Sequence, residues 1–120
     1  MDEKIDSPQI KCEKLLLEPE IRFTGIIDPM GNLKAGGFKG SISPLMEETE
    51  RKKMFMEVAL RVATRRDFDK NLGEVEFSVS KRKKSLVLSF PIGKMILLVS
   101  TNPNQNINEI TRKIKNMFGL

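Results

Sequence analysis

Gly36-Gly37-Phe38-Lys39-Gly40-Ser41 sets four small residues around a lysine, the kind of stretch that lets a backbone approach a phosphate. Its spacing is wrong for a nucleotide loop. That loop needs G-x-x-x-x-G-K-[ST], and no Gly-Lys-Ser or Gly-Lys-Thr triplet occurs in the chain. The stretch reads instead as the flexible end of a strand. Glu74 and Glu76 share one face of an alternating segment, but nothing nearby raises the pKa of either and no nucleophile or metal ligand accompanies them. There is no histidine, so the usual acid–base shuttle at neutral pH and the commonest metal ligand are both missing. Cys12 is the one cysteine, which rules out an intrachain disulfide and a cysteine metal cluster. It reads as a small, partly buried apolar residue. No catalytic residue, metal site or cofactor is expected, and the chain is not read as an enzyme.

Two other features do carry information. Lys81-Arg82-Lys83-Lys84 places four adjacent cations between two strand-like segments, where they form an exposed hairpin tip able to grip phosphates or steer an acidic partner. The second is Met54 to Thr64, MFMEVALRVAT. At 100° per residue its apolar side chains sweep an arc of roughly 240°, whereas a helix packed on one sheet needs a stripe of about 100° or a little more. Phe55, Ala59 and Val62 occupy the centre of the arc and are expected to face a sheet. Met56, Leu60 and Ala63 lie on one flank, Met54 and Val58 on the other. The surplus implies a second contact, most simply another copy of the chain. Met56 and Leu60 are the first choice for that contact, although periodicity alone does not choose between flanks.

The elements that position these residues follow from punctuation and period. Asp6-Ser7-Pro8 caps a helix expected to reach Leu17, with Ile10, Leu16 and Leu17 inward. Ile21 to Phe38 reads as a hairpin around Asp28-Pro29-Met30-Gly31, the recipe for a type I turn with a glycine bulge. Ser43-Pro44 opens the long helix, expected to run to about Phe68 and to close at Asn71-Leu72-Gly73. Three strands follow: Glu74 to Ser80, strictly alternating, then Ser85 to Phe90 and Lys94 to Ser100, joined by a turn at Pro91-Ile92-Gly93. Asn106 and Glu109 begin a last helix whose inner face is Ile107, Ile110, Ile114, Met117 and Phe118. The order is α-β-β-α-β-β-β-α, an α+β sandwich on a five-stranded antiparallel sheet. One domain is expected: an acidic helical segment over 1–20, then the sheet, long central helix and C-terminal helix over 21–120.

At 120 residues, with 39% hydrophobic residues, the chain is long enough for a single core. The net charge of +5 is uneven, because residues 1–20 hold six acids against three bases and leave +8 on the rest. No stretch approaches the ~18 apolar residues of a membrane span, and the acidic start is wrong for a signal peptide. A cytoplasmic protein with no membrane partner is expected.

The element order and the segment Ile21 to Phe38, with Asp28-Pro29-Met30-Gly31 followed by a strand ending in Ala35-Gly36-Gly37, resemble the roadblock (dynein light chain) family within the profilin-like and longin-like folds. The segments IRFTGIIDPMGNLKAGGF and SKRKKSLVLSFPIGKMILLVS also resemble a family of small uncharacterised archaeal proteins from ammonia-oxidising lineages. The roadblock resemblance implies a long helix on one sheet face and the terminal helices on the other. It also implies a homodimer built through the long helix and the adjacent edge strand, here Glu74 to Ser80, and a partner of the small-GTPase type. The basic run Lys81 to Lys84 is no part of the roadblock pattern. On this reading the dimer interface draws on Met54, Met56, Val58, Leu60, Ala63, Glu76 and Ser78. The leading expectation is a small homodimeric adaptor or regulator acting by protein–protein contact. A nucleic-acid-associated protein using Lys81, Arg82, Lys83 and Lys84 is the alternative, and a small-molecule sensor the third.

Overall fold

The computed structural model describes residues 7–120; Asp6, part of the expected first cap, lies outside them. The Ser7 hydroxyl accepts the Ile10 N–H at 3.2 Å and starts helix α1, Pro8–Leu15. Its inner face is Cys12 and Leu15, both fully buried, while Ile10 is 44% and Leu17 79% exposed. The expected inner face is therefore corrected for Ile10 and Leu17, while Leu16 is half-buried against the same core. Ile10 sits about 200° round the helix from Cys12, and the helix ends before Leu17.

Strands β1, Ile21–Ile27, and β2, Leu33–Phe38, form the expected hairpin. The Asp28 carboxylate accepts N–H groups from Met30 and Asn32, both at 2.9 Å. These bonds, the Asn32 one foremost, hold its carboxyl below the usual aspartate range. Gly31 closes the turn at φ +84°, and a Cβ there would meet the Met56 backbone at 2.8 Å. The turn thus seats directly against the long helix, α2, Glu48–Arg65.

Helix α2 starts later than Ser43-Pro44 implies. Residues 39–46 form a loop pinned from two sides: Arg22 donates to the Ser43 carbonyl at 3.2 Å and Arg51 to the Met46 carbonyl at 2.6 Å. The Glu50 carboxylate accepts the Glu47 N–H at 3.3 Å, and Glu48 and Glu50 place negative charge at the positive helix end. After Arg65 the helix tightens into a 3-10 turn, Arg66–Phe68, and one further turn, α3, Asp69–Leu72. Gly73 ends it with an N–H bond to the Asp69 carbonyl at 2.8 Å.

Strand β3 spans only Ser78–Lys81, shorter than the alternation of residues 74–80 suggests. Ser78 pairs with Ser89 on strand β4, Leu86–Ile92, and in that register Glu76 would stand opposite Pro91. Proline has no N–H to extend a ladder, so pairing stops. Pro91 and Ile92 belong to β4, and the turn into strand β5, Met95–Thr101, is the two residues Gly93-Lys94, with Gly93 at φ +58°. Asn106 then caps helix α4, Ile107–Phe118, by accepting the Glu109 N–H at 3.0 Å.

The five strands run in the order β2-β1-β5-β4-β3, every pairing antiparallel. Helices α1 and α4 cover one face over a core that includes Leu15, Ile21, Leu88, Phe90, Val99 and Ile114. Lys113 of α4 reaches back to Glu18 and Glu20 at 2.8 and 2.9 Å, which raises its pKa and ties the helix to the α1–β1 connection. Helix α2 alone covers the other face. Among the described residues that core has seven buried members against twelve beneath α1 and α4, so the α2 layer is the thinly anchored one.

Gly31→Ala tests how firmly the hairpin turn sets that layer. Left-handed backbone and the missing clearance to Met56 should together destabilise the chain by about 1–3 kcal/mol, read as a lower urea midpoint. An unchanged midpoint would mean the turn and helix are not packed as described.

Candidate interaction surface

Helix α2 has eighteen residues, of which Phe55, Ala59 and Val62 are buried. They are the three expected at the centre of the apolar arc, and they insert among Phe23, Ile27, Ile96 and Leu98. The two flanks have different neighbours. Met54 and Val58 are half-buried beside Val87 of β4. Below them runs a shallow trough between Val58, Arg61 and Arg65 on the helix and Ser78, Ser80 and Ser89 on the last two strands. Arg65 spans it, donating to the Ser78 hydroxyl at 2.7 Å. Met56, Leu60 and Ala63 look the other way, with Met56 against Gly31 of the Asp28–Asn32 turn. Met56 is 61% and Leu60 66% exposed.

The flank adjoining the edge strand is thus Met54 and Val58, and Met56 and Leu60 form a separate apolar strip. The sequence supplies no signal for that choice, because it depends on which way the helix leans on the sheet. Phe68 and Leu72, 60% and 81% exposed, extend the apolar surface past the helix end, and sequence reading left them unassigned.

At the sheet margins, β2 is partly closed: the Gln9 side chain accepts the Gly36 N–H at 2.7 Å. Strand β3 is the other edge, with Ser78 and Ser80 half-buried on the α2 side. Glu76 does not join that row. It precedes the strand and accepts Lys115 of α4 at 3.0 Å, on the opposite side of the sheet.

Lys81, Arg82, Lys83 and Lys84 form the β3–β4 tip, closed by the Arg82 N–H on the Ser85 carbonyl at 2.9 Å. All four are exposed. The last three line one side of a groove of about 710 Å³ whose other side is the first half of α2 and the 39–46 loop. Its floor is aromatic: Phe23 lies 4.8 Å from Phe38 and 5.7 Å from Phe55, ring centre to ring centre, and the Arg51 guanidinium sits 5.1 Å over Phe38.

Other candidates are dispersed. Gly36 and Gly37 belong to β2, and Lys39 donates to the Glu18 carbonyl at 2.8 Å. Glu74 lines a small polar pocket with Arg65 and Asp69, apart from Glu76. Among the described residues no cluster of three metal-ligating side chains occurs, and no helix is long and apolar enough to cross a membrane.

This arrangement is the roadblock/LC7 fold. A Roadblock/LC7 domain from Streptomyces avermitilis superposes with a TM-score of 0.72 at 10% identity, covering 95% of this chain and 93% of that one. MglB from Myxococcus xanthus gives 0.73 at 15% identity, with 98% and 93% covered. An MglB with a tetrameric arrangement also gives 0.73, at 19% identity, with 96% and 88% covered. By sequence the chain belongs to DUF6659, a family of unknown function, over residues 2–120. No curated protein matches it.

Cys12 is fully buried, and burial, with Glu13 adding to it, pushes its thiol up to about 11. The unfolded thiol ionises near 8.5, so the native state favours the neutral form. That preference is fully present below the unfolded pKa and is lost as pH rises toward 11. Native protein at pH 8 should leave Ellman's reagent unreacted until denaturant is added. Rapid native labelling would mean that α1 does not shield the thiol.

Proposed function

We propose that this chain is a homodimeric adaptor that works by binding another protein. Two copies join β3 to β3, and the Val58 sides of their long helices pack across the joint. The observation that carries this reading is the coincidence of an open sheet edge with a half-buried apolar helix flank that faces it across a shallow trough. An unpaired edge strand is a template for another strand, and a shared two-fold axis closes the assembly after one addition. The tetrameric arrangement of the similar MglB supports self-association for a chain of this shape.

Pairing along that edge leaves Met56, Leu60 and Ala63 on the outer flanks of the two helices. That strip is the docking face for the second protein. A partner of the small-GTPase type follows from the roadblock resemblance, and the exposed apolar strip of Met56 and Leu60 suits a partner surface that carries apolar groups.

Light scattering on the purified chain should give twice the monomer mass of 13.7 kDa. Val58→Glu puts a charge between the helices, and Ser80→Lys puts one on the joining edge, a residue type that blocks strand addition. Both should give folded monomers by circular dichroism, Ser80→Lys serving where Val58→Glu costs stability. Leu60→Glu should remain dimeric. A wild-type monomer at high concentration, or dissociation by Leu60→Glu with Ser80→Lys still dimeric, would contradict this arrangement.

A further inference from the structure

We infer that the groove between the first half of α2 and the β3–β4 tip is a binding site for a small amphipathic anion, a molecule with an apolar body and a carboxylate, sulfonate or phosphate head. At about 710 Å³ it falls within the range of small-molecule pockets. Its depth and rim differ in character. The floor is presented by the half-buried Phe38, Met54 and Val87, backed by the buried Phe23 and Phe55 rings and Leu98. The polar groups beside that floor are Ser85, Ser100, Arg22 and the Arg51 guanidinium over Phe38. Cations stand at the mouth on both sides: Lys53 on the helix, and Arg82, Lys83 and Lys84 on the hairpin tip.

The rim is unbalanced. Of the two acids that border it, Glu57 is engaged by Arg61 and Glu50 accepts the Glu47 N–H. Lys53, Arg82, Lys83 and Lys84 have no carboxylate partner among the described residues. Four uncompensated cations around an apolar floor favour a ligand that is anionic at one end and apolar at the other. The third wall is set in advance, because Arg22 and Arg51 hold the 39–46 loop by its carbonyls at Ser43 and Met46. Less ordering is therefore left for binding to supply. A nucleic-acid strand fits less well: Phe23 and Phe55 are 3% and 7% exposed, so they cannot act as open stacking platforms.

The site does not depend on dimer formation, and the same assay on Ser80→Lys separates the two proposals. The probe is 1-anilinonaphthalene-8-sulfonate, an aromatic anion whose fluorescence rises in apolar surroundings. It should saturate at one site per chain, and dodecanoate should displace it. Dodecyltrimethylammonium, with the same tail and opposite charge, should not, nor should inorganic phosphate.

Lys53→Glu combined with Lys83→Glu should weaken binding about tenfold, as should Leu45→Glu at the exposed wall. The double variant changes only exposed residues and keeps the fold. Leu60→Glu, on the far flank, should bind like wild type and exclude the outer apolar strip as the source of the signal. The inference is overturned by equal competition from the cationic amphiphile, by affinity that ignores the charge reversals, or by displacement with duplex DNA at the same salt. Binding that appears only with vesicles of phosphatidylglycerol, and not with dodecanoate, would overturn it in favour of a membrane-held headgroup.

Discussion

One α-helix is about 10 Å across, and five paired strands span about 20 Å. A single helix therefore cannot cover a five-stranded sheet, and everything distinctive about this chain follows from that mismatch. On one face two helices, α1 and α4, share the task, and their core closes over Phe90, Val99 and Ile114. On the other face α2 settles over β1 and β5, drawn there by Phe55, Ala59 and Val62 meeting Phe23, Ile27, Ile96 and Leu98. The α2 side of β3 and β4 is left with serines, a half-buried Val87 and a trough. Burying one Phe or Val is worth about 1.5–3 kcal/mol, so the three inward residues suffice to seat the helix, with its flanks left free for other work.

The uncovered strip is not uniform along its length. Toward the Gly93 end it is polar, with Arg66 donating to the Gly93 carbonyl at 2.8 Å and Arg65 to Ser78. Toward the Lys81–Lys84 end it opens into the aromatic-floored groove. The same deficit in coverage thus gives two kinds of surface: a narrow polar-edged seam beside β3 suited to another copy of the chain, and a deeper apolar recess under a cationic rim. The exposed Met56–Leu60 strip is a third, on the outer side of the helix.

Much of this was legible in the residues. The type I turn at Asp28, the cap at Asn106 and the inward faces of α2 and α4 follow from local chemistry and a 3.6-residue period, and tertiary packing did not override them. The losses have particular causes. Alternation over 74–80 reads as one strand, but Pro91 on the neighbouring strand ends the ladder at Ser78, a constraint carried by a residue thirteen positions away. Ser43-Pro44 mimics a helix start, yet Arg22 and Arg51 hold that segment as a loop through its carbonyls. Ile10 and Leu17 look like core residues because hydrophobicity says nothing of rotation, and it is Cys12 and Leu15, with Leu16 half-buried beside them, that meet the core. The groove was not legible at all. Its walls come from residues 22, 51, 53 and 82–84, which only the sheet order brings together.

Amide hydrogen exchange at Ser78–Lys81, followed as protein concentration is raised, bears most directly on the idea that an incompletely covered sheet is completed by a second copy. Edge amides facing the partner should be slow to exchange at high concentration and become fast on dilution, while the β1 and β5 amides stay protected throughout. Fast exchange along β3 at every concentration would show that the edge remains open to water and that the surplus apolar surface of α2 serves some purpose other than pairing.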